Sequence, residues 1–367
     1  MNTGTRLPAR QTSYYPRLDG LRAIAVSLVL VHHLGGILAY GWDQGYYGVD
    51  LFFVLSGYLI TSILVRSGGT FRQAYATFLG RRTLRIFPVY YLALGVIFAC
   101  GLATSSDLLY LCTYTWNYFA KSHGSPDNQL FYLWSLSVEE QFYLVWPFLV
   151  LSLRKRLGLL LCLTTAIVLT GYSQLAYGIF PSMTAYNYTG LVNRMGSLGI
   201  GALGAVLVAR RLMPLRILHS GFWEFACLAV LVWAQVATDK LRFPAMGVCS
   251  LLLVIKCIHG EVHMWGLRQI LDMKVVQYVG RISYGIYVYH IPIAVLMEKY
   301  VFDPIWLSIP FDEFGVLNKL RWHSWVIKFP LFSGLTVLTA AASFRWIERP
   351  LLLLKDMWFT TRSEDAG

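Results

Sequence analysis

Charge is scarce in this sequence. Asp, Glu, Lys and Arg make up only 14% of its 367 residues, while 56% are hydrophobic. That balance excludes an ordinary soluble domain. A disulfide or zinc framework is also missing. The six cysteines (Cys100, Cys112, Cys162, Cys227, Cys249 and Cys257) form no C-x-x-C pair. They lie mostly in apolar runs, where cysteine serves as a small core residue. No internal repeat is apparent, and no polar stretch is long enough for a separate soluble domain.

What the chain has instead is a series of apolar runs near the length that crosses a bilayer. Ten are read, at roughly 20–40, 47–65, 88–104, 131–152, 157–177, 195–209, 221–238, 243–259, 278–300 and 326–347. The aromatic stretch at 107–119 either lies in the interface or re-enters. Fold class follows as all-α, a polytopic membrane helical bundle with both termini in the cytoplasm. With that orientation, 23 of the 31 basic residues fall in cytoplasmic segments, as the positive-inside rule requires. The net charge of +12 is therefore a matter of topology, not of nucleic-acid binding. Residues 1–355 read as one membrane domain and 356–367 as a short cytoplasmic tail. The first span has no small-residue cleavage site after it and is not expected to be a removed signal peptide.

That first span carries the most chemistry. Arg17-Leu-Asp-Gly-Leu-Arg22 opens it, and His32-His33 lie within its apolar run. Arg22 and His33 stand eleven residues apart, which at ~100° per residue returns them to within ~20° of one face, ~16 Å apart along the axis. His32 points ~80° away from Arg22, so His33 is the better candidate for chemistry aligned with it. Ionisable residues inside spans are costly and mark function by default. The structural alternative is polar glue between helices.

Other spans supply partners at similar depth. Asp50 falls in the outer turns of the second span, ahead of a Ser56-Gly57 pair that either thins the helix or serves close packing. Glu139 and Glu140 fall in the outer half of the fourth span, and His290 near the middle of the ninth. An imidazole beside a carboxylate is what a general base needs, because the carboxylate fixes the tautomer and stabilises the imidazolium. A buried charge network that only holds the bundle together is the other reading. On the cytoplasmic side Arg81, Arg82 and Arg85 precede Ile86-Phe87-Pro88, with Arg22, Arg281, Arg345 and Arg349 at the same edge. Arginine forks suit phosphate oxygens, although topology and anionic lipid also call for arginine here.

Six stretches and one spaced pair, taken together, resemble the acyltransferase-three family of bacterial membrane acyltransferases. They are Arg17-Leu-Asp-Gly-Leu-Arg-Ala-Ile-Ala-Val with the Arg22-x10-His33 pair, Gly48-Val-Asp-Leu-Phe-Phe-Val-Leu-Ser-Gly-Tyr-Leu-Ile60, and Arg81-Arg-Thr-Leu-Arg-Ile-Phe-Pro88. Trp134-Ser-Leu-Ser-Val-Glu-Glu-Gln-Phe-Tyr143, Ser283-Tyr-Gly-Ile-Tyr-Val-Tyr-His290 and Trp346-Ile-Glu-Arg-Pro350 follow in the family's order. The resemblance implies a ten-helix core in the bacterial inner membrane. It implies transfer of an acyl group, usually acetyl, from cytoplasmic acyl-CoA to a hydroxyl of a glycan or other acceptor, often outside. It also implies that Arg22 and His33 are the required pair. Some members carry an added extracytoplasmic hydrolase-like domain; this chain shows none and is expected to act alone or hand over to a separate partner.

The expected mechanism joins both lines. Acyl-CoA docks its phosphates near Arg22, Arg81, Arg82 and Arg85, with no metal involved. His33, oriented by Glu139, Glu140 or Asp50, either takes the acceptor's proton or carries the acyl group itself. Trp134, Ser137, Tyr143 and His290 are the candidate substrate-binding residues. A transporter or flippase for a glycolipid or small molecule is the alternative, although two related halves with broken helices are missing. A purely structural or receptor protein would not need the histidine–carboxylate level. The acceptor's identity and the oligomeric state, a homo-oligomer included, are not legible.

Overall fold

Helix follows helix throughout, because a backbone in hydrocarbon must satisfy its own polar groups. The computed structural model describes residues 14–35, 44–123, 129–182, 188–213, 218–259, 262–306 and 324–358, and no strand occurs among them. Expectations for Arg6, Arg10, Arg216, Lys319, Arg321, Arg362 and the tail beyond 358 lie outside the described residues.

α1 (Pro16–Leu34) starts on a proline whose fixed φ suits the first helical turn. α2 (Gln44–Arg66) runs back beside it. α3 (Phe71–Ala99) begins at a capping box in which Thr70 accepts from the Gln73 amide and the Gln73 side chain accepts from the Thr70 amide. That cap corrects the expected start of the third span at residue 88. Arg81, Arg82 and Arg85 sit inside a 29-residue helix, and Pro88 is accommodated within it. The aromatic stretch after α3 forms two short helices, α4 (Ser105–Cys112) and α5 (Trp116–His123). Trp116 is fully buried and donates to the Leu130 carbonyl at 2.9 Å.

α6 (Trp134–Leu153), α7 (Leu157–Tyr177), α8 (Leu191–Ala209), α9 (Phe222–Trp233) and α10 (Asp239–His259) continue the bundle. α11 (Trp265–Asp272) and α12 (Lys274–Arg281) are short and brace the start of α1, where Leu271 packs on Gly20 and Gly280 meets the Asp19 carbonyl. α13 (Ser283–Met297) ends in a π-turn, Glu298–Phe302, followed by α14 (Asp303–Trp306). A π-turn at Ser324–Lys328 leads into α15 (Phe329–Ser343); another, Phe344–Glu348, leads into α16 (Arg349–Trp358).

α2 and α8 form the centre. In each, 67% of the most apolar 18 residues are buried, against 22–33% in α3, α7 and the Val326–Leu353 helix. Their backbones touch: a Cβ on Gly57 would overlap the Leu198 carbonyl, and one on Gly201 would overlap the Val54 carbonyl. Gly57 therefore serves close packing, and α2 runs unbroken through it. Large apolar side chains such as Leu169, Phe225 and Val232 are more than half exposed on the outer helices. An apolar surface of that extent marks a membrane-embedded protein.

Among the described residues six helices are long and apolar enough to cross a membrane: Gly45–Arg66, Phe71–Ala99, Leu157–Tyr177, Leu191–Ala209, Asp239–His259 and Val326–Leu353. α1 and α6 are as long but too polar, holding Arg17, Asp19 and Arg22, or Glu139 and Glu140. α13 is shortened by its π-turn. The helices that miss the apolar standard are largely those that carry the candidate site.

Candidate functional site

Two cavities enter the bundle from opposite ends. At the C-terminal end of α1 a cavity of about 960 Å³ is lined by His32, His33, Tyr46, Tyr132, Trp134 and Tyr188, with Glu298, Lys299, Asp303 and Lys328 among its polar groups. Lys328 and Glu298 form an ion pair across two π-turns. At the N-terminal end of α1 a narrow cavity of about 90 Å³ is lined by Arg22, Arg82, Arg85, Ser56, Glu139 and Tyr143. Val49 and Tyr287 line both cavities and form the wall between them. The Tyr287 hydroxyl donates to the Tyr132 carbonyl at 2.8 Å and lies 2.6 Å from the Ser135 hydroxyl.

The arginine end is built by α1, α2, α3, α6 and α13. Asp19, buried at the foot of α1, takes the Arg22 guanidinium at 2.6 Å and the Tyr14 hydroxyl at 2.7 Å. Arg82 lies over the Tyr143 ring, 4.8 Å from its centroid. Glu139 accepts from the Ser56 hydroxyl at 2.6 Å. Arg81, on the same helix, does not line this cavity. Three guanidinium groups around one opening suit an anion with several oxygens, because each fork offers parallel donors.

The histidine end differs from the expected histidine–carboxylate level. His33 is exposed toward the large cavity, and its Nδ1 lies 3.0 Å from Nε2 of the fully buried His290. Among the described residues no carboxylate hydrogen-bonds His33. Asp50 instead accepts from Ser197 at 2.7 Å and pairs with Arg194 at 3.5 Å. Glu139 and Glu140 belong to the arginine side, because α6 runs away from the histidine end as α1 approaches it. Glu139 is tied to Ser56, and Glu140 lies among Tyr90, Tyr91 and Tyr114.

The remaining candidates divide. Trp134 lines the large cavity and stacks edge-on against Tyr188, at 4.9 Å. Tyr143 lines the small one. Ser137 is fully buried, donates within its own helix to the Leu133 carbonyl at 3.5 Å, and lines neither cavity. Val49, Tyr132 and Tyr287 are cavity residues that the sequence does not single out, Ser56 is read there only as half of a Ser-Gly pair, and Arg194 is an unexpected partner of Asp50. Ser56 and Tyr287 lie inside motifs already singled out, whereas Arg194 falls one residue before the expected span at 195–209 and so among the eight basic residues of the outer segments. All six cysteines are free thiols, and Cys227, Cys249 and Cys257 are buried.

With this geometry in place the comparisons decide the family. The sequence profile of an acyltransferase domain matches residues 15–345. The chain belongs to this acyltransferase family. It is 34% identical, over 92% of its length, to YrhL of Bacillus subtilis, a protein named provisionally as a peptidoglycan O-acetyltransferase. It is 30% identical, again over 92%, to the peptidoglycan O-acetyltransferase OatA of Listeria monocytogenes. A Staphylococcus aureus protein named provisionally as an O-acetyltransferase is 26% identical over 93%. These matches span 55%, 56% and 58% of the relatives' own lengths, so the chain covers little more than half of each. No solved structure matches it.

Proposed function

We propose that the chain is an acyl-CoA-dependent O-acyltransferase that moves an acetyl group to a hydroxyl of a cell-envelope carbohydrate. The observation that carries this reading is the pair of opposed cavities sharing the Val49–Tyr287 wall. The arginine cavity suits the phosphates of CoA. The large one, with aromatic faces and charged groups, suits a sugar ring and its hydroxyls. Relatives named for peptidoglycan make that polymer or its precursor the first acceptor to try.

α1, α2, α3, α6, α7, α8, α9, α10, α13 and α15 make ten crossings in this reading. In this reading both termini and the arginine cavity face the cytoplasm across a bacterial inner membrane, and the excess of basic residues in the segments so assigned supports that orientation. His33 is the residue that handles the acceptor. It takes the hydroxyl proton while the oxygen attacks the thioester carbonyl; the C–S bond breaks, and the CoA thiolate leaves with the proton from the imidazolium. A variant route passes the acyl group through His33 before the acceptor takes it.

The test is reconstitution in nanodiscs with acetyl-CoA and soluble peptidoglycan fragments, following free CoA and acetylated product. The expected result is acceptor-dependent CoA release that disappears in His33→Ala and Arg22→Ala. Movement of acceptor across the membrane without acetyl-CoA consumption would overturn the reading in favour of a transporter.

A further inference from the structure

We infer that His290 is a positioning residue that fixes the tautomer of His33 and leaves His33 Nε2 as the atom that meets the substrate. The inference rests on the proposed role of His33 and goes beyond it by replacing the expected carboxylate with a second imidazole. It starts from a group whose hydrogen-bonding sense is not in question. His290 Nδ1 lies 2.6 Å from the Tyr287 carbonyl, and a carbonyl only accepts. Nδ1 of His290 therefore carries a hydrogen. A neutral imidazole has one N–H, so His290 Nε2 is an acceptor. Its partner at 3.0 Å, His33 Nδ1, must then donate. The hydrogen of neutral His33 is thereby placed on Nδ1, and Nε2 is left with a lone pair on a side chain that opens to the large cavity.

The opposite assignment would need His290 to hold both hydrogens and a charge. His290 is 0% exposed, and among the described residues no carboxylate hydrogen-bonds or ion-pairs with it. An isolated buried cation is strongly disfavoured. The rings around the pair are those of Tyr132 and Tyr287 and, 5.0 Å from His33, the imidazole of His32. Tyr132 stands edge-on to His290 at 4.8 Å and to His33 at 6.4 Å, and the Tyr287 ring lies 5.5 Å from His290.

The backbone explains why this geometry holds. Pro292 lies within α13 and has no N–H, so the Val288 carbonyl loses its usual helical donor. Tyr132 supplies the replacement, its hydroxyl donating to Val288 at 2.7 Å. The same tyrosine that packs on both rings thus ties the short segment before α6 to α13, two residues from His290. A carboxylate would perform the same fixing task while adding charge. The histidine does it without placing a carboxylate directly against His33.

The experiment uses the full chain in nanodiscs and three variants, with turnover measured against acetyl-CoA concentration. In His290→Leu, which keeps bulk and removes the acceptor, kcat is expected to fall by about 10²–10⁴-fold, the usual worth of general-base catalysis. The acetyl-CoA KM should stay within about twofold, because the arginine cavity is untouched. His290→Gln keeps a carboxamide oxygen near the position of Nε2 and is expected to recover at least about tenfold of that loss. Wild-type kcat in His290→Leu, or equal impairment of the Leu and Gln variants, overturns the inference. Failure of the underlying reading is distinct: His33→Ala would then retain full turnover. If His290→Leu does not fold, 15N spectra of histidine-labelled wild-type protein, assigned by difference against His33→Ala, decide the matter. Protonation of His33 at Nδ1 supports the inference, and protonation at Nε2 overturns it.

Discussion

Asp50 on α2 and Arg194 on α8 form an ion pair at 3.5 Å in which neither side chain is more than 1% exposed. Ser197 donates to Asp50 at 2.7 Å, and the Arg194 guanidinium lies 4.0 Å from the Tyr188 ring centroid and 4.9 Å from that of Phe243. Removing one partner of such a pair leaves an uncompensated buried charge, at a cost of about 3–5 kcal/mol. Asp50→Asn is therefore expected to lower the thermal midpoint in detergent. Adding Arg194→Met should recover part of the loss, and the coupling between the two is the quantity to measure. Activity per folded molecule should change little. Full stability with lost turnover would instead return Asp50 to the chemistry.

How far the sequence reveals this arrangement depends on what decides each feature. Helix type follows from apolar length, and the reading of α2, α7 and α10 lies within a few residues of the structure. The early start of α3 was concealed because its first turns are polar and arginine-rich, and only the Thr70–Gln73 cap announces it. The alignment of Arg22 and His33 was legible because both lie on one helix and a fixed pitch relates them. Pairings between helices were not. Whether His33 meets Glu139 or His290 depends on helix rotation and packing distance, which periodicity does not encode. Arg194 shows the same limit, since a cation one turn into α8 looks in sequence like the end of a loop.

The wall between the cavities should govern the length of the acyl group. Val49 is the smaller of its two shared residues, and Tyr287 is pinned by Ser135 and the Tyr132 carbonyl. One methylene in an apolar pocket discriminates by about 10–200-fold. Val49→Ala is expected to raise the propionyl-to-acetyl ratio of kcat/KM by about tenfold. Competition between the two thioesters in one reaction measures this directly. An unchanged ratio would place the acyl group elsewhere.

Arg82 and Arg81 are neighbours in sequence but differ in position. Arg82 lines the narrow cavity and rests on Tyr143, whereas Arg81 does not line it. Hydrogen bonds to charged groups contribute about 1.5–3 kcal/mol, equivalent to roughly 10–100-fold in affinity. Arg82→Ala should raise the acetyl-CoA KM by at least about tenfold, and Arg81→Ala by less than about threefold. Acetyl-pantetheine lacks the nucleotide phosphates, so its turnover should be insensitive to either change. Equal effects of the two variants on acetyl-CoA would count against phosphate docking at Arg82.

The foot of α1 should respond to acid. Arg17 holds Asp272 through two hydrogen bonds, at 2.7 and 2.8 Å, and this contact keeps the Asp272 carboxyl below its ordinary range. A carboxylate with a depressed folded-state pKa adds stability that is present above the unfolded value, near 4, and is lost as pH falls through the lower folded value. Docking of α11 on α1 is thus expected to be constant between about pH 6 and 8 and to weaken only below about pH 4. Both groups are partly exposed, so the effect should be modest and reduced by salt. Amide hydrogen exchange in residues 265–281, followed as a function of pH and corrected for intrinsic rates, measures it. Asp272→Asn should exchange faster at neutral pH and lose this pH dependence. If protection in the variant matched the wild type at pH 7, α11 would be held by the packing of Leu271 on Gly20 and not by this ion pair.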